Sequence, residues 1–160
     1  MPKTSKSRQK NKKNKRRVLR KSVKNVAPPK NDISNAQKSR IMKTFLEILH
    51  TIKLYHWKTA SYSQHKATDE LHEKLSEQTD RFVEVLIGKH ASRVDMVEAK
   101  MKLYDFDNKH AFKEKVFEFR EFLIDLDLIF NKKKDSDLMT IKDDMLENVN
   151  QFLYLFTLSG

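Results

Sequence analysis

Apolar side chains recur at helical spacing in four segments of the chain, and each segment is long enough for one helix of a small domain. In the first segment, Ile41, Phe45 and Ile52 fall on one face of a helix. The same spacing of three and four residues gives each of the other segments a single apolar stripe. The pattern predicts an all-α fold with helices over residues 34–57, 62–87, 109–130 and 137–158.

The ends and connections of these helices predict the topology. Ser34 and Gln37 form a capping-box start, and Gly88 predicts the end of the second helix. About five residues join helix one to helix two, and about five join helix three to helix four. Both pairs are therefore expected to be antiparallel hairpins. Residues 89–107 alternate between apolar and polar, which predicts an extended connection. Together these features predict a ferritin-like four-helix bundle with a long crossover between helices two and three. A plain three- or four-helix bundle with a short extra helix within 93–104 is the alternative.

The net charge of +11 is concentrated at the start of the chain. Residues 1–32 hold 13 Lys or Arg and one acid, Asp32, so the other 128 residues sum to −1. Few apolar residues occur in this segment, and Pro28 and Pro29 end it. We therefore expect a disordered basic tail over 1–32 and a folded ferritin-like domain over 33–160.

The basic tail predicts an arm that binds DNA or another polyanion through residues 1–30. Its densest block has no aromatic side chain, so contacts to the phosphate backbone without sequence preference are expected. A solubility arm, a nuclear-import signal and a mitochondrial transit peptide are alternatives. The candidate nucleic-acid-binding residues are Lys10, Lys12, Lys13, Lys15, Arg16, Arg17, Arg20 and Lys21.

Composition excludes several classes of protein. The chain contains no cysteine, which removes disulfide scaffolds, thiolate zinc sites, iron–sulfur clusters and cysteine nucleophiles. With two Gly and three Pro, a turn-rich β architecture is not expected. No run of 18 apolar residues occurs, so no interaction with a membrane is expected. No apolar segment of the kind found in secretory signals follows the basic stretch.

A stripe of metal-ligand side chains follows the second helix on a face turned away from its apolar residues. With His65 at 0°, Asp69, Asp80 and Glu84 lie at about 40°, 60° and 100° around the helix, whereas its apolar residues lie at about 240° to 300°. Asp69 and Asp80 are roughly 16 Å apart along the axis, which is too far for one metal centre.

A two-fold axis removes this difficulty. If two copies of the second helix pack antiparallel, His65 and Asp69 of one chain meet Asp80 and Glu84 of the other, and two mixed imidazole–carboxylate sites form. Such ligands suit iron, manganese or zinc. His56 lies within the apolar stripe of helix one, near the hairpin, and is expected to approach His65 in its own chain. The candidate metal ligands are His56, His65, Asp69, Asp80 and Glu84.

These residues resemble the ferroxidase segment of the Dps family, the ferritin-like DNA-binding proteins from starved cells. The resemblance rests on three features. His56 is followed by Trp57, His65 and Asp69 are separated by three residues, and Asp80 follows Asp69 by eleven residues and is separated from Glu84 by three. His56 and His65 are nine residues apart, where the family usually has twelve. The chain is also similar to small ferritin-like proteins of large DNA viruses.

The resemblance implies an oligomer whose two-fold interfaces bind iron, with ferroxidase activity as a possible enzymatic function and DNA binding by the tail. It further implies an intracellular setting associated with a nucleoid or nucleus, or a place in a virion. The alternative is a non-enzymatic nucleic-acid-packaging or virion structural protein on a ferritin-like scaffold.

Overall fold

The computed structural model describes residues 33–91, 93–97 and 100–158. These residues form four α-helices and a short 3-10 helix after the third, and none of them lies in a strand. The all-α fold is thereby confirmed, whereas the expected disorder and DNA binding of the basic tail fall outside the described residues. The helices are α1 (Asn35–Lys58), α2 (Tyr62–His90), α3 (Lys109–Asp125) and α4 (Ser136–Thr157), and the 3-10 helix is Leu126–Leu128.

The predicted start of α1 is confirmed, but the predicted end of α2 is wrong. The Ser34 hydroxyl accepts a hydrogen bond from the backbone N–H of Gln37, whose side chain accepts one from the backbone of Ser34. The second helix, in contrast, continues through Gly88 to His90, and Ala91 ends it in the left-handed conformation with φ 46°. Lys89 explains the extension, because its ammonium pairs with carboxylates at the start of α4 and holds the last turn of α2 against that helix.

Contacts at the two ends of the bundle define the direction of each helix. At one end, Tyr55 of α1 stacks on Phe112 of α3 at 3.9 Å and meets Phe156 of α4 edge-on at 6.1 Å. At the other end, Phe82 of α2 meets Phe130 at 5.8 Å. Helices α1 and α4 therefore run in one direction, and α2 and α3 run in the other.

The core is a layer of aromatic and aliphatic side chains between the four helices. Phe45 of α1 is fully buried and meets Phe82 at 5.3 Å and Phe122 at 5.9 Å, both edge-on. Edge-on aromatic pairs add about 0.5–1.5 kcal/mol each to the free energy gained from burial. None of the described helices is long and apolar enough to cross a membrane.

The connection from α2 to α3, residues 91–108, is called the strap below, and its described residues from 93 onward are extended. None of its described residues is helical, so the short extra helix considered for 93–104 is absent from 93–97 and 100–104. The strap runs parallel to α1, which anchors it through polar side chains. Asn35 exchanges two hydrogen bonds with the backbone of Asp95, at 2.7 and 3.0 Å, and Glu47 accepts one from the backbone N–H of Lys102 at 2.9 Å.

Replacing Asn35 with alanine is expected to release the start of the strap. Both hydrogen bonds to Asp95 would be lost, at a cost of about 1 kcal/mol because the site is exposed. Amide hydrogen exchange at Asp95 should accelerate, while the core amides keep their protection. Asn148→Ala is the matched control, because that amide bonds within its own helix to Asp144. Unchanged exchange at Asp95 would show that other contacts hold the strap.

Candidate metal centre

The last turn of α1 and the first turn of α2 bring two imidazoles together. Residues 59–61 form the link, and Ser61 caps α2 by accepting a hydrogen bond from the backbone of Gln64. The rings of His56 and His65 stack with 3.8 Å between centroids and 24° between planes. The approach predicted from the helix faces is confirmed, and the short loop is what allows it.

Each imidazole donates a hydrogen bond to the backbone of the other residue. His56 Nδ1 lies 3.0 Å from the carbonyl oxygen of His65, and His65 Nδ1 lies 3.0 Å from the carbonyl oxygen of His56. A carbonyl oxygen only accepts, so both Nδ1 atoms carry a proton. This fixes the tautomer and leaves Nε2 of each ring as the nitrogen that can bind a metal, which is the usual arrangement of a metal-ligating histidine.

The same hydrogen bonds also have a structural role. The carbonyl of His56 lies in the last turn of α1, where a helix leaves its oxygens without intrahelical partners. The side chain of His65 supplies that partner. The fully buried Thr68 also contacts His56. Its hydroxyl lies 3.4 Å from His56 Nδ1 and donates a hydrogen bond to the carbonyl oxygen of Gln64 at 2.8 Å.

Asp69 lies beside the imidazole pair and carries the negative charge of this cluster. Its Oδ1 is 3.7 Å from His56 Nε2 and 3.4 Å from the ammonium of Lys53. Burial alone would raise the pKa of the Asp69 carboxyl, but the hydrogen bond from Lys53, the interaction with the His56 imidazole and the positive charges of Lys53 and Lys66 outweigh it and hold the pKa below its ordinary value. Asp69 is therefore ionised at neutral pH.

Two further histidines, His50 and His72, lie near this cluster. Burial lowers the pKa of His72, and the positive charge of Lys53 lowers it further, so the neutral imidazole is favoured. His50 uses Nδ1 to contact the carbonyl oxygen of Leu46 at 2.6 Å, which again leaves Nε2 free. None of His50, His72 and Lys53 is among the candidates of the sequence analysis. The signal for Lys53 was its position three residues before His56, on the same edge of α1.

Asp80 and Glu84 lie on the exposed face of α2, far from the imidazole pair of their own chain. Neither forms an ion pair with any residue in the described part of the chain. Beside Asp80, side chains of α1 and Val83 line a shallow apolar groove that includes Met42 and Leu46. No cluster of three His, Asp or Glu within 33–91, 93–97 and 100–158 is arranged to hold a metal ion. Within one chain, the five candidate ligands are therefore not brought together.

A family model matches residues 56–156 of the chain, from His56 to the last turns of α4. The chain belongs to DUF5856, a family of unknown function. All five candidate ligands lie within the DUF5856 segment, whereas the basic tail lies outside it. No curated protein and no solved structure matches the chain.

Proposed function

We propose that the folded domain is a ferritin-like subunit that binds iron at sites shared between two copies of the chain, with manganese or zinc as alternative metals. The pair of imidazoles beside Asp69 carries this proposal. Both rings have their Nδ1 protons engaged by backbone oxygens, and a carboxylate faces one of the remaining nitrogens. The basic tail is proposed to bind DNA without sequence preference.

The direction of the helices supports the ferritin-like assignment. An antiparallel hairpin, a long crossover and a second antiparallel hairpin make up that architecture. Here the strap lies along α1 and carries the chain back to the end where α1 finished, since Lys58 at the end of α1 pairs with Asp105 and Asp107 just before α3. The resemblance to Dps proteins points to the same architecture.

The spacing of the ligands along α2 supports a shared site. His65 and Glu84 are symmetric about a point between Lys74 and Leu75, and Asp69 and Asp80 are symmetric about the same point. A single two-fold axis at that point therefore brings both pairs together in an antiparallel α2 pair.

The surface around the ligands also suits an interface. The groove beside Asp80 offers apolar area for a second chain. Trp57, next to His56, is 68% exposed, and Tyr62 is 78% exposed. Large aromatic side chains with this exposure are common anchors of interfaces. The carboxylates of Asp80 and Glu84 lie free to meet a cation held by the partner's imidazoles.

The proposed ligands would be His56, His65 and Asp69 from one chain and Asp80 and Glu84 from its mate. Carboxylate oxygens and imidazole nitrogens are the ligands of iron in many proteins. Fe(II) is the proposed substrate, and each Fe(II) gives one electron to oxygen or peroxide. The two chains together supply enough negative charge to hold the resulting Fe(III).

Anaerobic titration with Fe(II), followed by admission of oxygen, tests this proposal directly. The wild-type protein should be an oligomer by solution mass measurement, should bind iron at its two-fold interfaces, and should develop ferric absorbance on exposure to oxygen. A monomer, or an oligomer that takes up no iron and shows no change in absorbance, would remove the metal function.

A second candidate function is favoured by the contact between Lys53 and Asp69. An ammonium already neutralises this carboxylate, as it would in a scaffold that works without metal. The protein would then be a non-enzymatic nucleic-acid-packaging or virion component, and its basic tail would provide the activity. The iron titration separates the two candidates, because only the first takes up metal.

A further inference from the structure

Lys53 contacts the same oxygen of Asp69 that faces the His56 imidazole. It lies one turn before His56 on α1, and its ammonium is 3.4 Å from Asp69 Oδ1. The same oxygen is the one that faces His56 Nε2, at 3.7 Å. A single carboxylate oxygen thus lies between an imidazole nitrogen and a lysine ammonium.

We propose that Lys53 is the built-in counter-ion of Asp69 and sets the metal affinity of the site, because a metal ion must displace its ammonium to bind between Asp69 and His56. This inference rests on the proposed metal function. An oxygen bound to a metal ion loses most of its capacity to accept a hydrogen bond from an ammonium. The positive charges of the metal and of Lys53 also repel each other at this separation.

The side chain of Lys53 is suited to such a displacement. It is 31% exposed, so the ammonium has access to solvent. Lysine carries a compact charge on a flexible four-carbon stem, and the ammonium can move away without a change in the backbone of α1. The hydrogen bonds that fix the two imidazoles do not involve Lys53, so the ring geometry would survive its movement.

Competition of this kind affects specificity as well as affinity. A cation that binds through oxygen ligands alone, such as Mg²⁺, gains little from His56 and His65 and must still displace the ammonium. A transition-metal ion gains an imidazole bond to His56 Nε2 in exchange. Lys53 therefore biases the site toward divalent transition metals.

Titration with Co(II), followed by its visible absorption, tests the inference in the full-length protein. Lys53→Met removes the charge at similar length and is expected to tighten Co(II) binding about tenfold, from loss of both competition and repulsion. Lys53→Arg keeps the charge and should bind nearly as the wild type does. Lys66→Met is the matched control, because the charge of Lys66 also acts on Asp69 but makes no ion pair with it; less than a twofold change is expected.

The outcomes separate the proposed role of Lys53 from the proposed metal function. Binding by Lys53→Met alone, with a silent wild type, supports the inference in its strongest form, in which lysine closes the site. Equal tightening in Lys53→Met and Lys66→Met would show a general effect of charge and would overturn it. Equal affinity in the wild type and Lys53→Met would overturn it while the metal function stands. No binding by either protein would overturn both.

Discussion

Two variants that have each lost metal binding are expected to recover about one quarter of the wild-type sites when their chains are combined in one oligomer. The first variant carries His65→Ala and Asp69→Ala, and the second carries Asp80→Asn and Glu84→Gln. Alone, each variant is expected to bind no metal, because each proposed two-fold site needs one half from each chain. The loss should leave the helical bundle folded, since all four positions lie outside the buried core. The effect of His65→Ala on the helix should be confined to the last turn of α1, where its side chain bonds the carbonyl of His56.

The recovery follows from the symmetry of the proposed interface. When two chains pair at random, half of the dimers are mixed. A mixed dimer joins the intact imidazole half of one chain to the intact carboxylate half of the other at one site, and joins the two damaged halves at the other. Co-expression of the two variants with different tags, followed by Co(II) titration, measures the recovered fraction.

A control variant separates the shared site from a general loss of acidic charge. Glu114→Gln with Glu118→Gln removes two exposed carboxylates of α3 at the same spacing as Asp80 and Glu84, and full metal binding is expected. A mixture that stays inactive although its chains form mixed dimers would contradict the shared site. Full binding by the Asp80/Glu84 variant would do so as well, because the carboxylates would then have no role.

The helices were predictable because their signals are local and agree with one another. Apolar spacing in α1 placed Phe45 in the core, and the capping box at Ser34 marked where the helix begins. The meeting of His56 and His65 was predictable for a related reason. His56 lies on the buried edge of α1 close to a short loop, so an antiparallel hairpin leaves it few directions other than toward the first turn of α2.

Other features depend on contacts between distant parts of the chain, and the sequence pattern does not contain them. Gly88 has the residue type of a helix end, but Lys89 pairs with Asp137 and keeps α2 helical beyond it. The third helix tightens into a 3-10 turn at Leu126, which keeps that side chain fully buried. The contact of Lys53 with Asp69 depends on how α1 and α2 are rotated against each other, and helical periodicity gives that rotation only coarsely.

Removal of residues 1–32 is expected to lower the affinity for double-stranded DNA by about a thousandfold at moderate salt, because almost all of the excess positive charge lies there. The remaining chain has a net charge of −1 and would repel a phosphate backbone weakly. Binding by the full chain should fall steeply with salt, with a slope of about −6 to −7 on logarithmic axes if seven or eight phosphates are neutralised. Electrophoretic or fluorescence titrations at several salt concentrations measure both quantities.

Two full-length variants show whether charge alone explains the binding. In the first, the eight basic residues from Lys10 to Lys21 become glutamine, which keeps the length of the tail and should remove most of the affinity and most of the salt slope. In the second, the order of residues 1–32 is shuffled at constant composition. Contacts to the phosphate backbone depend on charge density, so the shuffled tail should bind DNA nearly as well as the natural one.

A nuclear-import signal is read by a receptor in a fixed order, so shuffling would abolish import while leaving DNA binding intact. Unchanged affinity after deletion of the tail would instead assign it a targeting or solubility function.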